Sequence, residues 1–190
     1  MGRALVEAAL RLGHEVVLVS GPVDIEYPEG IELIPVVSTE EMLAASREAF
    51  ASCDGLIGAA APCDYRPVRV ESNKIAKTGD PLELQLIETD DIVATLAVEK
   101  EDKWVVGFAL ETEDHRLRAL AKLEKKSCDL MVLNGPEAMH SLENSVEVLN
   151  PAGDVIGSYE GSKEQVAIGI FEMIERELVS PPTSQPGISG

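Results

Sequence analysis

The chain has 190 residues, 45% of them hydrophobic, with 16 basic against 34 acidic side chains and a formal net charge of −18. That length supports one sizeable core, while so acidic a surface argues against nucleic acid as a partner, because phosphate contacts dominate that affinity. No run approaches ~18 uninterrupted apolar residues, so no membrane span is expected.

The first element is a helix. Leu5, Ala8, Ala9 and Leu12 recur at helical spacing and Gly13 stands where the helix would stop. Arg11 breaks the apolar stretch, which excludes a leader peptide reading of MGRALVEAALRLG. Glu15 to Ser20 (EVVLVS) reads as a buried strand closed by the turn pair Gly21-Pro22, and Ile31 to Val37 as a second, with Pro35 marking an edge or an end. Ser38 and Glu41 form a capping-box pattern for a helix to about Ala51. Gly55 to Ala61 (GLIGAAA) is a third strand, and Leu82 to Ile87 alternates like a strand with one wet face. Asp90 or Asp91 caps a helix to about Lys100. Trp104 to Leu110 is a buried strand, a helix follows from about Asp114 to Lys126, and Asp129 to Asn134 is another strand. VEVLN and VIGSYEG flank Pro151-Ala152-Gly153-Asp154 as a hairpin, and Ser162 with Gln165 opens a last helix that places Val166, Ile170, Met173 and Ile174 on one face. Residues 179–190 are rich in Pro, Gly and Ser and read as a disordered tail behind a single domain, 1–178.

Strands alternating with helices predict an α/β fold, a three-layer sandwich on a mostly parallel sheet ending in a β-hairpin. Ligands of such folds bind beyond the carboxyl ends of the strands. Several ends carry suitable chemistry. Gly58, Ala59 and Ala60 are small enough for a ligand to approach the backbone, Asp64 and Asn134 are polar, and Phe108 offers a stacking surface. Between Arg66 and Lys77 stand Arg66, Arg69, Lys74 and Lys77 against the single acid Glu71. On so acidic a protein that cluster fits an anionic small molecule, and equally a solvated loop. Lys122 and Lys126 lie four apart on one helical face, as solvated lysines often do. The three cysteines, Cys53, Cys63 and Cys128, lack metal-ligand spacing and form no disulfide framework, which points to a reducing, cytoplasmic setting; packing is the expected role of Cys63.

Taken in order, GAAAPCDYRP, KIAK, TDDIV, VGFALET, AKLEKKSCDLMVLN and Asn144 resemble the phosphopantothenoylcysteine synthetase family, the ligase half of a bifunctional coenzyme A biosynthesis flavoprotein. The resemblance runs from Met1 to about Ile174 and implies a Rossmann-like fold. It also implies a reaction: CTP activates the carboxylate of 4′-phosphopantothenate as an acyl-cytidylate, and the amine of cysteine then displaces CMP. By position, Gly58, Ala59 and Ala60 would line the nucleotide and Asp64 would hold its ribose or base region. Lys74 would meet the phosphates and the reacting intermediate as the catalytic cation. Asp90, Asp91, Ile92 and Val93 would border the cytosine or ribose, Phe108 would pack on the cytosine, and Lys122 and Lys126 would face phosphate or base. Mg2+ would bridge triphosphate oxygens, with no protein ligands assigned. The resemblance further implies a homodimer in which the loop around Lys74 reaches the partner's site, and a flavin-dependent decarboxylase domain as the neighbour of the ligase; no flavin is expected on this chain.

The chain departs from the family pattern in places. Pro62-Cys63 replaces the usual Val-Ala or Pro-Ala, Ala76 replaces a lysine of a KIKK loop, Asp90 replaces a proline, and Leu110 replaces an alanine. The family's opening strand and glycine-rich, Asn-bearing loop would stand upstream of Met1, so a truncated product is expected. Two other readings stay open on the sequence: a nucleotide-binding remnant without chemistry, and a nicotinamide-dependent oxidoreductase, against which the lack of a G-x-G-x-x-G after a strand counts.

Overall fold

A computed structural model describes residues 1–77, 79, 81–110, 123, 126–134 and 144–180. Helix α1 spans Gly2–Arg11 and buries Leu5, Ala8 and Ala9, the stripe expected from the spacing. It ends because Gly13 takes φ +90°, letting the Gly13 and His14 amides donate back to the Leu10 and Ala9 carbonyls. Strand β1, Val17–Ser20, pairs in parallel with β2, Glu32–Pro35, whose last residue is the proline that cannot continue a ladder. Helix α2, Thr39–Phe50, starts in the expected capping box: Ser38 Oγ accepts from the Glu41 amide, and the Glu41 carboxylate accepts from Ser38. Those backbone donors, from Val37 and Ser38, hold the Glu41 carboxyl below its usual range.

Strands β3 (Gly55–Gly58), β6 (Trp104–Leu110) and β7 (Leu130–Asn134) pair in parallel, and the hairpin β8 (Asn144–Leu149) and β9 (Val155–Gly161) adds two antiparallel ladders. The five-stranded order is β3-β6-β7-β8-β9. Because β9 is antiparallel to β8, it runs with β3, β6 and β7, so four of five strands share a direction. Among the described residues no ladder joins this sheet to the β1–β2 pair. A short ribbon, β4 (Tyr65–Pro67) with β5 (Leu86–Glu88), stands apart as a third unit.

Layering follows from strand alternation. Val106, Val132, Val146 and Val148 point to one face, under α1 and helix α4 (Lys163–Ile174); Val105, Ala109, Met131, Leu133 and Leu149 point to the other, under α2 and helix α3 (Ile92–Val98). The face of α4 predicted as apolar is the buried one: Val166, Ile170, Met173 and Ile174 are at most 2% exposed. Each such burial is worth roughly 1.5–3 kcal/mol, which makes the hairpin and α4 the firmest part of the body. The result is the α/β sandwich expected, with a mostly parallel Rossmann-like sheet.

Element boundaries differ from the sequence reading in several places: β1 starts at Val17 rather than Glu15, and β2 spans Glu32–Pro35 rather than Ile31 to Val37. β3 stops at Gly58 rather than Ala61, and α3 ends at Val98 rather than near Lys100. The strand expected over Leu82 to Ile87 is confined to Leu86–Glu88, and both its faces are wet because no layer covers it. The helix expected from Asp114 to Lys126 lies outside the described residues except for Leu123 and Lys126, which are helical, and residues 181–190 of the tail lie outside them.

Candidate functional site

The carboxyl end of β3 lies against the middle of β6, with Gly58 opposite Gly107, and β6 runs on to Leu110. Gly58 has a packing reason to lack a side chain: a Cβ there would stand 2.3 Å from Val93 Cγ2. The start of α3 is thus seated on the end of β3. Asp91 caps that helix, its Oδ1 accepting from the Ala94 amide at 3.1 Å. Its Oδ2 lies 3.0 Å from Lys126 Nζ, whose side chain is 21% exposed against 42% for the aspartate. Of the residues expected at the site, the structure therefore gathers Gly58, Asp91, Val93 and Lys126 at one point on the edge of the sheet. Ile92 faces inward and joins the buried cluster with Leu96 and Val105, so only its backbone can border a ligand. Asp90 is exposed beside the cap and close enough to strengthen the charged form of Arg47, which itself grips Glu99 through two bonds of 2.9 and 3.1 Å.

Other expected residues lie elsewhere. Ala59 and Phe108 belong to the opposite face, packed against the cluster under α1 and α4, so they can meet the first group only over the rim of the sheet. Ala60 is exposed, as are Asp64 and Lys74. Lys122 lies outside the described residues.

Asp64 and Lys74 ride on the arm built from β4 and β5. Its base is closed by the Thr89 hydroxyl donating to the Cys63 carbonyl at 2.6 Å and the Thr89 amide donating to the Asp64 carbonyl at 2.9 Å. The Val68 amide donates to the Gln85 carbonyl at 2.9 Å, and Tyr65 donates to the Glu88 carboxylate at 3.3 Å. Arg66 pairs with Glu40 in the first turn of α2, joining arm to body. Beyond that the arm is wet on both faces: Val70 is 83% exposed, Leu82 66% and Leu84 63%. Cys63, expected as a packed small hydrophobe, is exposed for the same reason, since the arm's base has no layer over it. The buried thiol is Cys128, and burial pushes it up to about 11.

A cleft of ≈ 550 Å³ opens at the other end of the sheet, lined by Lys100, Leu123, Ser127, Cys128, Asp129, Pro151 and Ala152. Its charges are already engaged: Asp129 accepts from Lys100 at 2.6 Å and from the Val105 amide at 2.7 Å. That arrangement splices the starts of β6 and β7 and ties up both charges of the cleft, so the carboxyl-end cluster is the better candidate. Sequence reasoning found Asp91 and Lys126 separately but missed Glu40 and Thr89, whose roles arise only when the arm meets α2 and its own base. Among the described residues no three His, Cys, Asp or Glu side chains are placed to hold a metal ion, and no helix is long and apolar enough to cross a membrane.

Comparison with known proteins places the chain in a family. The profile of the DNA/pantothenate metabolism flavoprotein C-terminal domain matches residues 1–178. A coenzyme A biosynthesis bifunctional protein CoaBC from Vibrio parahaemolyticus is 37% identical over 186 residues, 94% of this chain but 46% of the relative, so the chain spans less than half that protein's length. Among solved structures, the C-terminal domain of a CoaBC superposes with a TM-score of 0.76 at 32% identity, covering 92% of this chain and 80% of the other. A Cab2 mutant, in complex with phosphopantothenate-cysteine, superposes with a TM-score of 0.72 over 94% of this chain and 78% of the other; at 15% identity it shows a shared fold.

Proposed function

The chain belongs to the DNA/pantothenate metabolism flavoprotein C-terminal domain family, and from that membership we propose that it joins 4′-phosphopantothenate to L-cysteine in coenzyme A biosynthesis, using CTP. The carboxylate of phosphopantothenate attacks the α-phosphorus of CTP and pyrophosphate leaves. The amine of cysteine then attacks the acyl carbon, losing a proton as the amide forms, and CMP leaves.

The observation that carries this reading is the Asp91–Lys126 pair beside Gly58, a half-buried cation at the strand ends where an α/β sheet receives its ligand. Gly58, Ala59 and Ala60 line the nucleotide and Asp64 its ribose side. The backbone from Asp90 to Val93 borders the base, and Phe108 reaches the cytosine over the sheet rim. Lys122 and Lys126 meet phosphate or base. Lys74 supplies preplaced positive charge where the triphosphate and acyl-cytidylate collect negative charge. Mg2+ would accompany the triphosphate, bridging its oxygens.

Within one chain Lys74 rides on an arm whose ion pair to the body, among the described residues, is Arg66–Glu40, so we infer a homodimer in which the arm's apolar residues are covered and its lysine is delivered to the partner's site. A flavin decarboxylase domain is the expected companion, and the cytoplasm suits the chemistry and the free thiols.

Mixing the protein with CTP, phosphopantothenate and cysteine should release pyrophosphate and CMP in equal amounts, with CTP preferred to ATP. CTP binding without pyrophosphate release would instead make the chain a nucleotide-binding remnant, and equal or tighter binding of ATP would overturn the nucleotide choice. Sedimentation at micromolar concentration should give twice the 20.4 kDa of one chain; a single-chain mass would overturn the dimer.

A further inference from the structure

We propose that Asp91 is the resident counter-ion of the anion site, holding Lys126 while the site is empty and releasing it to the phosphates of an incoming polyphosphate. The inference rests on the nucleotide reading above and adds a mechanism of charge exchange to it. The two oxygens of Asp91 have separate tasks: Oδ1 accepts from the Ala94 amide at 3.1 Å, and Oδ2 faces Lys126 Nζ at 3.0 Å. The lysine is the more deeply set of the two, 21% exposed against 42%. An ammonium so placed is poorly hydrated and needs a fixed anion nearby, which the aspartate supplies.

The exchange asks little of the backbone. Asp91 stays anchored through its cap, α3 stays seated on Gly58 through Val93, and only the flexible lysine stem has to swing. The lysine's backbone is held too, its carbonyl accepting from the Cys128 thiol at 3.9 Å.

The pair also confers selectivity by charge count. Asp90 stands next to Asp91 on a chain of net charge −18, so a singly charged anion offers Lys126 no more than Asp91 already does. A ligand with several charges on adjacent oxygens does better, because two or three of them act on the lysine together. The empty site is therefore quiet toward monoanions and responsive to polyphosphates.

Asp91→Asn tests this, since asparagine caps a helix as well as aspartate and removes only the charge. Brief acetylation with limiting acetic anhydride, read by peptide mass spectrometry against Lys163, should label Lys126 about threefold faster in the variant, the scale of losing one partly exposed ion pair. Titration calorimetry with pyrophosphate and with CTP should show binding tightened by about 3- to 10-fold, and Lys126→Met should abolish that gain in the double variant. Pyrophosphate binding by the parent that Asp91→Asn leaves unchanged or weakens, or Lys126 labelling that does not rise, overturns the exchange alone. No polyphosphate binding by the parent removes the nucleotide reading, and the exchange with it.

Discussion

Two regions of this molecule use the same residue types in opposite ways. In the body, Val106 and Val132 are 0% exposed between a sheet and its helices; on the arm, Val70 is 83% exposed and Leu84 63%. A two-stranded ribbon wet on both faces is marginal in water, whereas a five-stranded sheet with helices on both faces is not. The body thus packs its apolar side chains in layers and carries a half-buried ion pair at its rim, and the arm leaves apolar and basic side chains exposed. On the function proposed above, the body would supply the binding geometry and the arm would deliver charge.

The largest expected effect separates the two. Lys74→Ala should lower the rate of CTP-dependent pyrophosphate release by at least about a hundredfold, the scale of one preorganised charge contact. It should leave the urea midpoint unchanged, because Lys74 is exposed and joins none of the packing. Lys77→Ala should matter less, since Lys77 lies nearer the turn at Gly79, where φ is +91°. Undiminished turnover in Lys74→Ala would return the basic cluster to a solvated loop.

Cysteine offers a second test of the same contrast. Iodoacetamide should label exposed Cys63 in the native protein and spare Cys128, which is 4% exposed. Burial is the main cause that raises the Cys128 thiol to about 11. The sign follows: below the unfolded value of 9.0 both states keep the proton, and between 9.0 and about 11 only the unfolded chain loses it. Stability should fall across that window by about 2–3 kcal/mol from this group, and the pH slope should lose this component in Cys128→Ala. Urea midpoints of parent and variant with identical slopes above about pH 9 would contradict the assignment.

How much of this was legible in the sequence depended on whether a feature was local. Caps and stops were readable because their partners are three or four residues away: Ser38 with Glu41, Ser162 with Gln165, and Gly13 behind α1. The buried face of α4 was readable from its period. Candidate site residues could be named one by one through the family resemblance, but not their grouping. Ala59 and Phe108 fall on the face opposite Val93 because side chains alternate along β3 and β6, and Lys126 meets Asp91 across thirty-five positions of sequence. The strand expected over Leu82 to Ile87 shows the limit from the other side: alternation there is real, yet no layer in this chain covers it, so ladder and burial both fall short.

Gly58 tests whether the rim of the body is as tightly set as the arm is loose. Gly58→Ala places a methyl 2.3 Å from Val93 Cγ2 and should destabilise by about 1–3 kcal/mol, the usual cost of overpacking. Val93→Ala in the same chain opens the space and should recover most of the loss, a coupling that denaturant titration of both single variants and the double would measure. Additive effects would mean that α3 is not seated on β3 as described.

The smallest effect concerns the joint between the regions. Among the described residues Arg66–Glu40 is the ion pair that ties the arm to α2, with both side chains about half exposed. Such a pair is worth roughly 0.2–1 kcal/mol, too little to matter to a packed body. It is large enough, however, to bias an arm whose apolar residues are mostly exposed, by roughly 1.4- to 5-fold in population. Arg66→Gln should therefore leave the urea midpoint within error while broadening the distribution of distances between spin labels at positions 70 and 44 in double electron–electron resonance. Glu40→Gln should broaden it equally, and the double variant should add nothing further, because either substitution already breaks the single tie. A distribution as narrow in Arg66→Gln as in the parent would show that the arm is held by its own base, through Thr89 and the carbonyls of Cys63 and Asp64, rather than by α2.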